Sequence, residues 1–175
     1  SNITGRTMTD ILVERPIYID IQQHRQPEPY ELGKLRNVTI SNFAATTRGR
    51  VLLTAQDGAM LEDVTLRDVQ LIYPEIEDPA VAVAETTSSQ ISNFSPESRA
   101  RRAAVVADNV RRLQLYNIST RWPEDPTVPM HGLWARNVEG GILDAPFLRA
   151  GRDEVETVVL HNSDIDVRAP GGPRG

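Results

Sequence analysis

The stretch "NVTISN" at residues 37–42 is answered by "DVTLRD" at 63–68, nearly the same phrase written twice, and the fold depends on whether the phrase continues along the chain. In both copies β-branched or apolar residues alternate with polar ones, which is the period of a strand and not of a helix. With Val38 as origin, the phrase asks for an apolar residue at +2, Asn or Asp at +4, and mostly apolar residues at +5 and +7. Six segments answer. The +2 positions are Met8, Ile40, Leu66, Leu115, Ile142 and Leu160, and the +4 positions are Asp10, Asn42, Asp68, Asn117, Asp144 and Asn162. Successive +4 residues stand 32, 26, 49, 27 and 18 residues apart, the 49 reading either as two repeats or as one repeat with an insertion.

A repeat of about 20–30 residues with strand-type alternation marks a solenoid whose repeats bury their apolar faces against one another. Alternation breaks between +4 and +5, where Asn42, Asp68 and Asn117 are followed at once by Phe43, Val69 and Ile118. A strand cannot send both neighbours inward without bending, and Asn and Asp are the non-glycine residues that best tolerate a left-handed backbone. The column therefore reads as a corner between two short strands. A further strand in each repeat is offered by "PIYIDI" (16–21), "RVLLTA" (50–55) and "GLWA" (132–135), with "AVAVA" (80–84) and "AAVVA" (103–107) competing for the middle repeat. The fold class expected is all-β, a right-handed parallel β-helix of about six coils over residues 1–167. One long insertion falls at about 72–102, and 168–175 form a loose tail. Inside the insertion, "SPES" (95–98) offers Ser95 as an N-cap and Pro96 as the first residue of a short helix.

Composition sets the outer bounds. With 175 residues, 39% of them hydrophobic and 25% charged, the chain has the means for one domain with a core. A net charge of -5 argues against nucleic acid as the partner. No apolar run approaches the roughly 20 residues that span a bilayer, so no membrane partner is expected. The lack of cysteine excludes disulfides and thiolate metal sites, and no cofactor is expected.

The segments "NITGRTMTDILVERPIYIDI" (2–21), "LRNVTISNFAA" (35–45) and "MLEDVTLRDVQL" (60–71) resemble the later coils of glycoside hydrolase family 28, the polygalacturonase-like enzymes. The resemblance implies hydrolysis of pectin or a related polysaccharide by paired carboxylic acids, and an extracellular or periplasmic location. The family's Asn-Thr-Asp, Asp-Asp, Gly-His-Gly and Arg-Ile-Lys motifs do not stand in this chain; "QDG" (56–58) and "MHG" (130–132) come nearest. The opening stretch looks like the coil that the family places just after its Arg-Ile-Lys segment. The resemblance thus implies the C-terminal coils of a longer enzyme, with catalytic aspartates upstream of Ser1 and no catalytic residue in this chain. Its partners would be those upstream coils and a pectin-like polysaccharide. Two other readings stay open: a non-catalytic β-helix for carbohydrate binding or assembly, and an active hydrolase or lyase with an unfamiliar site.

Six residues are candidates for substrate contact. Asp20 stands near the end of "PIYIDI", and His24, Arg25 and Tyr30 follow it, where the resemblance implies an aromatic sugar-binding residue soon after the strand. Gln23-His24-Arg25 replaces that tyrosine, and Tyr30 comes late; an exposed loop is the plainer explanation. His131 beside Trp134 has the makings of a sugar platform, an aromatic face with a hydrogen-bonding neighbour, against the plainer reading of a core tryptophan. Arg99, Arg101, Arg102, Arg111 and Arg112 form a basic run of the kind that usually marks solvated surface. Glu75, Glu77 and Asp78 lack a recognised calcium spacing, so no metal is assigned.

Overall fold

A computed structural model describes residues 15–22, 31–81 and 96–168. The described chain is nearly all β, and its strands form one parallel sheet that is nearly closed. The strands are β1 (Tyr18–Ile21), β2 (Leu35–Thr46), β3 (Val51–Ala55), β4 (Leu61–Ile72), β5 (Ala103–Arg121), β6 (His131–Asp144), β7 (Val158–His161) and β8 (Ile165–Val167), with a short helix α1 (Pro96–Arg99) before β5. The order is β1-β3-β5-β4-β2, with β6 against β5 and both β7 and β8 against β6.

β5 shows how the sheet bends. Its first residues pair with β3, from Val51 opposite Val105 to Thr54 opposite Asp108. The rest pairs with β4, from Leu61 opposite Val110 to Ile72 opposite Arg121. The bends fall on residues with left-handed backbone, Asn109 (φ 57), Arg112 (φ 56) and Asn117 (φ 50). Such a φ costs most L-residues about 1–2 kcal/mol and costs Asn or Asp less, because their short polar side chains bond locally. All the other non-glycine left-handed residues described, Asn37, Asn42, Asp63, Asp68, Asn137 and Asn162, are Asn or Asp.

The pairing sorts these bends into three columns. Asn42, Asp68 and Asn117 form the one expected from the sequence, and the Asn117 amide donates to the Asp68 carboxylate at 2.7 Å. Asn37, Asp63 and Arg112, with Gly140 at φ 68, form a second. Asn109, Asn137 and Asn162 form a third. Its amides run as a chain, Asn162 donating to Asn137 at 2.8 Å, Asn137 to Asn109 at 3.0 Å, and Asn109 to the Ala55 carbonyl at 2.7 Å.

The structure corrects two positions of the sequence alignment. Tyr116 lies opposite Asp144, a step of 28 residues and not 27, so Ala145 takes the corner position and Asp144 stays in the strand. Asn162 follows His161, which pairs with Arg136, and so it belongs to the third column. Asp10 lies outside the described residues. The 49-residue step proves to be a single repeat carrying the insertion, because β4 pairs directly with β5. "AAVVA" supplies the middle strand, while Val81 of "AVAVA" is outside any strand. The described part of the helix spans Pro96–Arg99, and Ser95, the expected N-cap, lies outside the described residues.

Inside the bends lies the core. Val51, Leu53, Leu61, Val64, Leu66, Val69, Leu71, Val110, Leu113, Leu115, Ile118 and Leu133 form one cluster with essentially no exposure. Each fully buried side chain of this size contributes roughly 1.5–3 kcal/mol. Replacing Asn109 with Ala should cost about 2–4 kcal/mol of unfolding free energy, combining left-handed strain with orphaned partners at Ala55 and Asn137. Asn109→Gly should recover the backbone part. Urea unfolding of the two variants decides this, and an alanine variant within about 0.5 kcal/mol of the parent would show the amide chain to be idle.

Candidate functional site

The sheet has a second, outward face along β1, β3, the first halves of β5 and β6, and β7. In-register residues there run Tyr18, Leu52, Val106, Trp134, Val159 in one row and Asp20, Thr54, Asp108, Arg136, His161 in the next. The first row is apolar because it is covered: Leu52, Ala103, Val106 and Trp134 form a small buried cluster apart from the main core, with Val159 packed against it. The second row is polar and bonded side to side. Thr54 Oγ1 donates to Asp20 at 3.1 Å, and Arg136 donates to Asp108 through Nε at 2.7 Å and Nη2 at 2.9 Å. Asp108 is wholly buried and also accepts from the Ser98 hydroxyl of α1. A carboxylate so enclosed needs this many donors, since an unpaired buried charge costs several kcal/mol.

The described ends of the insertion lie over this face and are held mainly by cations. Arg50, just before β3, donates to the carbonyls of Arg99 at 2.6 Å and Arg101 at 2.5 Å, satisfying acceptors at the C-terminal end of α1. Withdrawal from solvent pulls the Arg50 guanidinium down to about 10. Arg102 makes a two-pronged bond to Asp78 at 3.0 and 2.7 Å, which holds the Asp78 carboxyl below the usual carboxylate range. Arg48 pairs with Glu77 at 3.3 Å.

Between the insertion and the last strands lies an open cleft of about 630 Å³ lined by Arg101, Arg102, His131, Trp134, Glu156 and His161 among others. His131 Nδ1 lies 2.7 Å from the Glu156 carbonyl. A carbonyl only accepts, so Nδ1 carries the proton and Nε2 of the neutral ring is left as an acceptor. The Arg101 guanidinium sits 4.8 Å from the Trp134 ring centroid, and the His161 ring 5.5 Å from it. Trp134 is only 2% exposed. The cleft offers two imidazoles, two guanidiniums and the exposed carboxylates of Glu154 and Glu156, set among apolar residues that include Pro129, Val155 and Val159.

The structure thus brings His131 and Trp134 together, with Trp134 serving chiefly as a packing residue that Arg101 covers. Asp20 stands on the same sheet face but takes hydrogen bonds from Thr54 and from Tyr18 at 3.0 Å. Partial burial and the Asp20 charge push the Tyr18 phenol up. His24, Arg25 and Tyr30 lie outside the described residues. The glycine of "MHG" has a packing reason: a Cβ on Gly132 would stand 2.8 Å from the Leu148 side chain and 3.0 Å from the Thr157 carbonyl. The basic run divides. Arg101 and Arg102 reach this cleft, whereas Arg111 pairs with Glu139 at 2.7 Å and Arg112 with Asp63 at 2.6 Å elsewhere on the sheet. Among the described residues no three His, Asp or Glu side chains converge as a metal site. His161, Asp108 and Arg136 escaped the sequence reading because their register partners stand 25 or more residues away; only strand pairing joins them.

Two consequences are measurable. Arg50→Met should loosen the insertion, with about 1.5–3 kcal/mol lost, a red shift of Trp134 emission and faster proteolysis near residues 99–102; unchanged emission and cleavage would remove Arg50 from this role. The Asp78–Arg102 pair should contribute fully above about pH 4 and fade as pH falls through the lowered folded pKa of Asp78. Acid titration of tryptophan fluorescence should therefore show a step below pH 4 that Asp78→Asn removes, and a step unaltered by that change would assign it elsewhere. No protein-family model, no curated protein and no solved structure matches this chain.

Proposed function

We propose that the nearly closed parallel sheet is a length of right-handed parallel β-helix, and that the chain forms the C-terminal coils of a polygalacturonase-like hydrolase of pectin or a related polysaccharide. The catalytic carboxylates belong to coils upstream of Ser1. What supports this reading is the register: bent strands pair in parallel one repeat on, so that Asp20, Thr54, Asp108, Arg136 and His161 form one polar row, buried at Thr54 and Asp108 and open at Asp20, Arg136 and His161. A polymer substrate needs an extended surface, and stacking of repeats provides one. Hydrolysis of a glycosidic bond requires two carboxyl groups facing an open site, about 5–9.5 Å apart according to mechanism. Asp108 is unsuited to that task because it is buried and bonded to Arg136 and Ser98. In this reading the row's carboxylates brace the surface, the cleft at His131 and His161 contacts the outer part of the chain, and the upstream coils perform the chemistry.

The reading is tested by reducing-end release from polygalacturonate. The 175-residue chain, folded by circular dichroism, should give no turnover. The longer reading frame should hydrolyse the polymer and lose activity at least a thousandfold when its upstream aspartates are changed to Asn. Turnover by the 175-residue chain would place a site within it, and an inert longer chain would leave a non-catalytic carbohydrate-binding or assembly role.

A further inference from the structure

Away from the outward face, where β5 ends, Thr120 and Trp122 clamp the turn that follows β6. The Thr120 hydroxyl donates to the Arg149 carbonyl at 3.0 Å and accepts from the Arg149 amide at 2.9 Å, and Trp122 Nε1 donates to the same carbonyl at 2.9 Å. The Arg149 guanidinium in turn donates to the carbonyls of Pro146 and Leu148, closing the turn on itself. The Thr120 amide donates to the Phe147 carbonyl at 3.3 Å, setting Phe147 beside the end of β5. In this tightly held turn Phe147 is 60% exposed, the largest exposure of any described large hydrophobic side chain.

A single exposed apolar residue is commonplace. Its surroundings are not. Phe147 lines an open groove of about 570 Å³ together with Asp68, Gln70, Asn117, Ser119 and Arg121 among others. Gln70 and Ser119 are register partners on adjacent strands, so they present an amide and a hydroxyl about 4.8 Å apart along the stacking direction. Asn117 spends its amide on Asp68 and keeps its side-chain carbonyl as an acceptor. Arg121 is exposed and forms no ion pair among the described residues, unlike Arg102, Arg111 and Arg112. An aromatic face, a row of uncharged donors and acceptors, and a guanidinium with its fork available, the Asp68 carboxylate standing in register with Asn117 four residues back from Arg121, match a ligand with a C–H face, several hydroxyls and a carboxylate at the Arg121 end.

The geometry points to the groove at Phe147 and Arg121 as a non-catalytic binding site for a uronic-acid unit of an oligosaccharide. It rests on the proposed reading for its choice of a galacturonate polymer, and it adds a second contact on a different face of the sheet. The turn's hydrogen bonds hold Phe147 in place before the ligand arrives, so little ordering cost falls on binding. Phe147 stacks on the sugar ring, Arg121 takes the carboxylate, and Gln70 and Ser119 meet hydroxyls.

The test is calorimetric titration of the whole 175-residue chain with trigalacturonate, with neutral galactotriose, and with a glutamate tripeptide. Trigalacturonate should bind at least tenfold more tightly than either control. Arg121→Gln should erase the preference for the acid over the neutral trimer, and Phe147→Ala should weaken both sugars about tenfold. Both side chains are exposed, so the variants should retain the parent's circular dichroism and melting. The proposal falls if no preference for the acid exists, if the glutamate peptide binds equally well, or if neither substitution alters affinity. Hydrolysis by the longer chain with no binding here would discard the groove and keep the enzyme. Specific binding here with no hydrolysis would do the reverse.

Discussion

The structure depends on a strand that turns a corner without losing its neighbours. Parallel strands pair only while successive repeats bend at the same places, and each bend requires a left-handed residue that most side chains resist. Asn and Asp relieve that resistance and supply something glycine would not, an amide or carboxylate that bonds to the residue above or below. At Asn109, Asn137 and Asn162 this makes a continuous chain of amides ending on the Ala55 carbonyl. Because these bends coincide, the inward residues of every repeat coincide too, and one core runs through the described sheet.

The same registration organises the outside. The described ends of the insertion meet both outward rows, the apolar one at Trp134 through Arg101 and the polar one at Asp108 through Ser98, so both residues are buried although neither belongs to the main core. Arg50, Arg102 and Ser98 tie the insertion down through carbonyls and carboxylates. Interactions of this kind confer position more than stability, because each desolvated charge returns much of what its partner gives. The described ends of the insertion thereby shape a cleft over the paired sheet.

A sheet of this kind is compatible with many functions, and function must be argued from sites. The open members of the polar row, Asp20, Arg136 and His161, and the cleft at His131 supply hydrogen-bonding groups on several strands, which suits a long ligand. The exposed carboxylates at the cleft, Glu154 and Glu156, stand two residues apart on the segment before β7, with Arg152 3.6 Å from Glu154. In the proposed role these groups contact the polymer, and the chemistry is assigned to upstream coils.

Local sequence was enough to settle the strand period, the corner at Asn42, Asp68 and Asn117, the strand at 103–107 as one of two options, and a short helix over Pro96–Arg99, because all of these are local choices of backbone conformation. It could not settle the step between repeats. A slip of one residue at Asp144, and the transfer of Asn162 to another corner, arise from pairing between strands 25–28 residues apart, which no local pattern encodes. For the same reason His131 and Trp134 were legible as neighbours in sequence, but the covering of Trp134 by Arg101 was not. The bond of Asp108 to Arg136 and Ser98, and the groove that joins Phe147 to Arg121, likewise arise only when repeats stack and bring distant side chains within hydrogen-bonding reach.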